Sequence, residues 1–232
     1  MVWQDAQNPV EALPGSGNSE TDAGGGVTVV RKACIPAFGK MQAGQDLVLA
    51  GHIALWGTSK LASVGEERLK ERFTLRFIRR CQKVYESRGI SVTPERFGAA
   101  SWCLPGEGGI MAALWDYLSH FGLGFEIDLK KLAVLQETIE VCEVFDVNPY
   151  RLHAGGCLLF TAENGGRLAG ELEREGICAA VAGRITGDIG RRIINGETQS
   201  FLARPKPDEL YKTDKRSDMK EAGYEGTNFS GD

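Results

Sequence analysis

A glycine-rich stretch at residues 102–110, followed by a long periodic apolar run, constrains the fold of this chain more than any other feature. Gly106, Gly108 and Gly109 allow positive φ angles and a close approach of the backbone to a neighbouring element. Gly122 then ends the run, and residues 125–129 alternate like a strand. Apolar residues at spacings of three and four predict a core-packed helix: Ile110, Ala113, Leu114, Tyr117, Leu118 and Phe121.

The glycine-rich stretch has two interpretations. Free N–H groups and the positive end of a helix dipole can bind an anion. The plainer interpretation is a tight turn that only lets the chain enter the helix, and the local sequence favours it. Cys103 lies in the same stretch, and a helix N-terminus can lower the pKa of a thiol, so Cys103 is a candidate reactive thiol.

The composition is typical of a globular protein without nucleic-acid or membrane partners. Hydrophobic residues make up 42% and charged residues 25% of the chain, and the formal net charge is −4. A general nucleic-acid surface would need clustered Lys and Arg. No apolar run is long enough to span a membrane, and the N-terminus shows no signal pattern. The six cysteines include no CxxC pair, so we expect no metal site and a reduced, cytoplasmic protein.

The sequence divides the chain into three parts. Residues 1–26 are predicted to be a flexible Gly-rich arm, with a strand candidate directly after it at 27–30. Residues 27–204 are predicted to form one α/β domain, because strand and helix patterns alternate along it. Residues 205–232 are predicted to be a polar tail, disordered beyond about Lys212.

Three segments of the domain have distinct signals. Leu47–Leu55 is predicted to be an apolar strand with a bulge at Gly51. An exposed strand of this kind would be an unprotected edge of the sheet, and we expect it to pair with the same strand of a second copy of the chain. The periodic helix of residues 66–86 is predicted to break at Thr74. Asn195-Gly196 is a strong hairpin signal between two short strands.

Several of these segments, taken together, resemble a known family. Their order is similar to that of the C-terminal half of the aminoimidazole-ribonucleotide (AIR) synthase superfamily, in its AIR-synthase-related and hydrogenase-maturation (HypE-like) variety, over roughly residues 40–212. The segments are Glu107-Gly108-Gly109-Ile110, residues 124–129, the helix at 137–143 with Asn148-Pro149, Gly155-Gly156 before a strand, residues 180–186, and Asn195-Gly196-Glu197.

The resemblance implies a mixed sheet covered by helices, as in the AIR synthase C-terminal domain. Family members are two-domain ATP-using enzymes, whose N-terminal domain supplies most ATP and magnesium ligands and whose C-terminal domain closes over the phosphates with glycine loops. Only about forty residues precede the match here. We therefore expect ATP and magnesium to bind only with a completing partner, and the chain to form a homo-oligomer or to bind a subunit that replaces that domain.

The chain departs from the family pattern at two positions of the glycine-rich stretch. Aligned on Glu107-Gly108-Gly109, it has Leu104 where the family has an acidic residue and Gly106 where the family has a hydroxyl. A leucine neither coordinates a cation nor moves a proton. The chain also ends in Phe229-Ser230-Gly231-Asp232 rather than in a cysteine, so carbamoyl or cyano carriage is not expected.

Two functions remain open from the sequence. The first is a degenerate, non-catalytic domain that oligomerises or binds a partner and retains a phosphate or anion pocket. The second is an ATP-dependent ligase, transferase or maturation factor of this class, completed by a separate subunit or a dimer. No catalytic residue is assigned.

The residues considered for a ligand also have structural interpretations. His153 fits a capping or surface role, and Glu107 fits a favourable charge at a helix start. His52 and His120 have no ligand partners nearby in the sequence. The candidates for ligand or anion binding are Glu107, Gly108, Gly109, His153, Gly155 and Gly156.

Overall fold

An eight-stranded mixed sheet runs through the part of the chain that the structure, a computed structural model, describes: residues 36–37 and 39–212. The strand order is β1-β3-β5-β2-β6-β4-β7-β8. Neighbouring strands are antiparallel except for β4 and β7, which are parallel. The strands are β1 (Pro36–Ala37), β2 (Asp46–Ala50), β3 (Ser101–Cys103), β4 (Gly124–Asp128), β5 (Leu158–Ala162), β6 (Ala179–Thr186), β7 (Arg191–Asn195) and β8 (Thr198–Phe201).

Helices lie between these strands, so the predicted α/β class is confirmed. The break predicted at Thr74 is also confirmed, because the Thr74 hydroxyl caps α3 by accepting the Phe77 N–H at 3.4 Å. The α-helices are α1 (Leu55–Val64), α2 (Glu66–Lys70), α3 (Leu75–Gln82), α4 (Val84–Arg88), α5 (Gly109–His120), α6 (Gln136–Phe145) and α7 (Gly165–Arg174). Short 3₁₀ helices cover Pro94–Phe97, Leu129–Lys131 and Pro149–Arg151.

Two hydrophobic cores fill the two faces of the sheet. The larger core joins β2, β4 and β5 to α1, α3, α5 and α6. The smaller core joins the other face of β2 and β5 to α7 and to Phe97. Strand β2 belongs to both, since Leu47 and Leu49 point into the larger core and Val48 and Ala50 into the smaller one.

The edge-strand expectation for Leu47–Leu55 is wrong. Strand β2 lies in the interior of the sheet between β5 and β6, and it ends at Ala50 because Gly51 turns the chain with φ +82°. Leu55 already begins α1. The uninterrupted apolar run of β2 is the pattern of a strand buried on both faces rather than of an exposed edge.

Other local predictions have mixed outcomes. The hairpin is confirmed, with Gly196-Glu197 as its two-residue loop and Gly196 at φ +64°. Strand β3 was not predicted, because its last two residues belong to the glycine-rich stretch. The arm at 1–26 and the strand candidate at 27–30 lie outside the described residues. Among the residues described, none of the helices has the length and apolar character needed to cross a bilayer.

Leu49→Ala should strongly destabilise the fold. Leu49 is 1% exposed at the centre of the sheet, and removing its side chain leaves a cavity, so we expect the free energy of unfolding to fall by about 2–5 kcal/mol. Urea denaturation measures this change. Leu75→Ala is the matched control, because Leu75 is 51% exposed, and it should change stability by less than about 1 kcal/mol. Equal effects of the two changes would contradict a buried central strand.

Candidate functional site

The glycine turn, residues 104–109, connects the end of β3 to the start of α5. Gly108 and Gly109 both have left-handed backbone angles, with φ of 78° and 73°. A Cβ on Gly109 would lie 2.5 Å from the carbonyl oxygen of Tyr150, so only glycine fits there. The turn therefore needs glycine first of all because another part of the backbone packs directly against it.

A second glycine loop, residues 153–156, lies beside the glycine turn. The Ala154 N–H donates to the carbonyl oxygen of Gly106 at 2.9 Å. The Gly155 carbonyl accepts the Trp56 N–H at 3.1 Å, which fixes the loop against the start of α1. The Trp56 and His153 ring centroids are 4.2 Å apart. The two candidate glycine segments, nearly fifty residues apart in the sequence, are thus neighbours in space.

A buried carboxylate occupies the start of α5. The Gly108 N–H donates to Asp208 Oδ2 at 2.6 Å, and the Leu210 N–H donates to Asp208 Oδ1 at 2.9 Å. Asp208 is only 3% exposed. A negative charge at this end of a helix is favoured by the helix dipole. The position at which the sequence suggested an external anion is therefore filled by the chain's own carboxylate.

The rest of the C-terminal segment, residues 208–212, also contacts the domain. The Tyr211 hydroxyl donates to Glu107 Oε1 at 3.0 Å. Glu209 is 3% exposed, accepts the Asn148 N–H at 3.4 Å and forms an ion pair with Lys212. These residues belong to the segment predicted to be a polar tail. Residues 208–212 instead pack on the domain, because their carboxylates satisfy backbone N–H groups that the turns leave unpaired.

Burial shifts the ionisation of the two titratable groups that meet here. Burial raises the pKa of Asp208 above its ordinary value, although the hydrogen bonds from Leu210 and Gly108 oppose this shift. Burial lowers the pKa of His153, so the imidazole is neutral at pH 7. The Gly155 N–H donates to His153 Nδ1 at 3.2 Å, which leaves the proton of the neutral ring on Nε2. Burial therefore disfavours a positive charge on His153 that could attract a phosphate.

The candidate reactive thiol is inaccessible. Cys103 is 0% exposed in β3, where it lies opposite Leu159 of β5. Burial raises the pKa of Cys81 and Cys142 to about 12, as expected for cysteines that serve as core residues. Cys178 is the exposed cysteine among those the structure describes. Within residues 36–37 and 39–212, no three or more His, Cys, Asp or Glu side chains are placed to hold a metal ion.

Solved structures share this fold. HypE of E. coli, a hydrogenase maturation protein, matches with a TM-score of 0.54 and 19% identity, over 72% of this chain and 52% of HypE. A HypE–HypF complex matches with a TM-score of 0.51 and 15% identity, over 71% of this chain and 54% of that one. Thiamine-monophosphate kinase from Stenotrophomonas maltophilia K279a matches with a TM-score of 0.51 and 19% identity, over 71% of this chain and 53% of the kinase.

These matches confirm the fold that the sequence resemblance implied. Identities this low show the fold alone, and the chain spans about half the length of the solved structures it matches. Neither a known family profile nor a curated protein matches the sequence.

Gly109→Ala should destabilise the glycine turn. Both the left-handed φ and the 2.5 Å approach to the Tyr150 oxygen oppose a Cβ, so we expect a loss of at least about 1 kcal/mol in the free energy of unfolding. Gly170→Ala is the matched control. Gly170 lies within α7 with open space around it, so alanine there should stabilise by about 0.5–1 kcal/mol. A Gly109→Ala variant that is as stable as the wild type, or more stable, would contradict the described turn.

Asp208 should make stability depend on pH. The pKa of Asp208 in the folded state is raised above 3.8, so the folded state holds the proton more tightly than the unfolded state does. The contribution of Asp208 to stability therefore falls as pH rises from 3.8 through the folded-state pKa. We therefore expect the stability of the wild type minus that of Asp208→Asn to decrease as pH rises from about 3.5, and then to level off. Urea denaturation across this range measures the difference, and Glu173→Gln, on the exposed side of α7, controls for net charge. A flat or rising profile would show that the Asp208 pKa is not raised.

Proposed function

We propose that this chain is a non-catalytic domain with a HypE-like fold, which oligomerises or binds a partner and whose glycine turn is closed by its own C-terminal segment. The observation that carries the proposal is the 2.6 Å hydrogen bond from the Gly108 N–H to Asp208. In a phosphate-binding turn this N–H would face the ligand.

An external phosphate would have to compete with the Asp208 carboxylate for the same donor. The bond is charge-assisted, and the carboxylate is tethered to the turn by its own chain, so it is present at high effective concentration. Glu107 adds a second carboxylate beside the turn, and the neutral His153 adds no positive charge. The anion pocket is therefore closed unless Asp208 is protonated or displaced.

The side chains of the glycine turn also provide no acid–base chemistry at the two positions that depart from the family pattern. Leu104 is 58% exposed, in the place of the family's acidic residue. Gly106 has no side chain, and His153 lies beside it. These positions can hold neither a metal ion nor a proton in transfer. Both features favour a binding role over an ATP-dependent reaction.

A second candidate function is supported by the solved structures. The fold occurs in HypE, including a HypE–HypF complex, and in thiamine-monophosphate kinase, and this chain spans 52–54% of those proteins. In this alternative, the chain is one part of an ATP-dependent ligase, transferase or maturation factor. A separate subunit or a second copy would then bring the ATP and magnesium ligands.

Thermal-shift titration with magnesium-ATP, magnesium-ADP and inorganic phosphate tests the proposal. Binding to the folded state raises the melting temperature by mass action, and a ligand at one hundred times its Kd adds about 2.7 kcal/mol. We expect no rise for the wild type with any of the three, because Asp208 occupies the donor. Asp208→Ala should show a rise with phosphate, since it frees the Gly108 N–H without adding charge.

Phosphate release from ATP, measured in parallel, separates the two candidate functions. We expect none from the purified chain. Turnover by the chain alone, or a saturable shift of the wild type with magnesium-ATP, would overturn the proposal. Turnover that appears only after mixing with a separate ATP-binding subunit would establish the second candidate.

A further inference from the structure

Strand β8 is an unprotected edge of the sheet. All four of its residues, Thr198 to Phe201, are exposed, and Phe201 is 69% exposed. In the described part of the chain, β8 has a partner strand, β7, on one side only. Edge strands of stable monomers are usually very short, or carry a charge, a proline or a bulge that prevents further pairing. Strand β8 is short, with four residues, so any further protection would have to come from its own side chains. Thr198-Gln199-Ser200-Phe201 contains no charge and no proline.

The hydrogen-bond pattern of the hairpin shows which backbone groups face outward. The Leu202 N–H donates to the Arg191 carbonyl at 2.8 Å, so Leu202 directs its backbone groups toward β7. The direction alternates along an antiparallel strand. Ser200 therefore also faces β7, and Gln199 and Phe201 direct their N–H and C=O groups away from the sheet.

We propose that β8 pairs antiparallel with β8 of a second copy of this chain, about a two-fold axis through Ser200. This register places Gln199 of each copy opposite Phe201 of the other. It pairs both outward-facing residues of each strand and forms four backbone hydrogen bonds. A register centred on Gln199 would instead pair that residue with itself and form two bonds within β8. The inference deepens the oligomerising role proposed above and rests on it.

The side chains favour the same register. Phe201 of one copy is then diagonal to Phe201 of the other on the same face, a separation that aromatic side chains can bridge. Phe201 lies opposite Arg192 in the hairpin, and the loop before Arg192 carries Ile189, which is 76% exposed. Pairing would bring these exposed apolar groups to a shared interface.

The charges at the two ends of the strand are complementary across the same axis. Glu197 precedes β8 and Arg204 follows it, and both are exposed. In the antiparallel arrangement about Ser200, the hairpin loop of one copy, which carries Glu197, lies beside the end of the other copy's β8, which is followed by Arg204. The acidic end of each strand thus meets the basic end of the other, twice by symmetry.

Sedimentation equilibrium of the full chain over a range of concentrations tests the pairing. We expect the wild type to dimerise. Gln199→Pro removes an outward-facing N–H, a position where edge strands tolerate proline, and should weaken the dimer at least about tenfold because each copy loses one bond. Gln199→Ala is the matched control, because it keeps the N–H, and should dimerise like the wild type. Thermal melting of both variants checks that the fold is intact.

Charge exchange tests the register independently of the backbone. Glu197→Arg and Arg204→Glu should each weaken the dimer, and the double variant should restore it. A wild type that stays monomeric at every concentration would overturn the proposal, as would a Gln199→Pro variant that dimerises like the wild type. Failure of the double variant to recover would exclude this register. None of these measurements depends on ATP turnover. The β8 pairing can therefore be overturned while the proposed lack of catalysis is unaffected, and the two proposals can be tested separately.

Discussion

The hydrogen bond between the Gly108 N–H and Asp208 joins two parts of the chain that are 100 residues apart and fixes the C-terminal segment against the glycine turn. One donor at the start of α5 is used inside the molecule instead of by a ligand. The bond also positions the C-terminal segment, so that the Tyr211 hydroxyl reaches Glu107. Burial raises the pKa of Asp208, which shows that the surroundings disfavour its charge even though the hydrogen bonds favour it.

The sheet topology brings the two glycine segments together. Strands β3 and β5 are antiparallel neighbours, with Cys103 opposite Leu159. The residues that follow β3 and those that precede β5 therefore lie at the same end of the sheet. The Ala154 N–H bond to Gly106 is a direct consequence of this pairing. Strand β2, buried on both faces beside β5, holds this end of the sheet in place.

Sequence patterns predicted the parts of the fold that depend on local contacts. The spacing of apolar residues identified α5, alternation identified β4, and Asn195-Gly196 identified the β7–β8 hairpin. The apolar run of β2 is the pattern of a strand buried on both faces, but it does not say which strands lie beside it, so the place of β2 between β5 and β6 could not be derived from the sequence. Asp208 could not be predicted as part of the site, because nothing near it in the sequence marks a partner 100 residues away.

The glycine turn and the β8 edge differ in how their backbone groups are used, and both proposals depend on this difference. At the turn, an internal carboxylate already satisfies the Gly108 N–H, so a ligand gains only what remains after Asp208 has been displaced. At β8, the outward N–H and C=O groups of Gln199 and Phe201 have no partner strand among the described residues, and the proposed second strand would satisfy them without displacing any part of the domain described here. The proposed pairing at the edge therefore avoids the cost of displacing an internal carboxylate, although the turn carries the residues that resemble a ligand site.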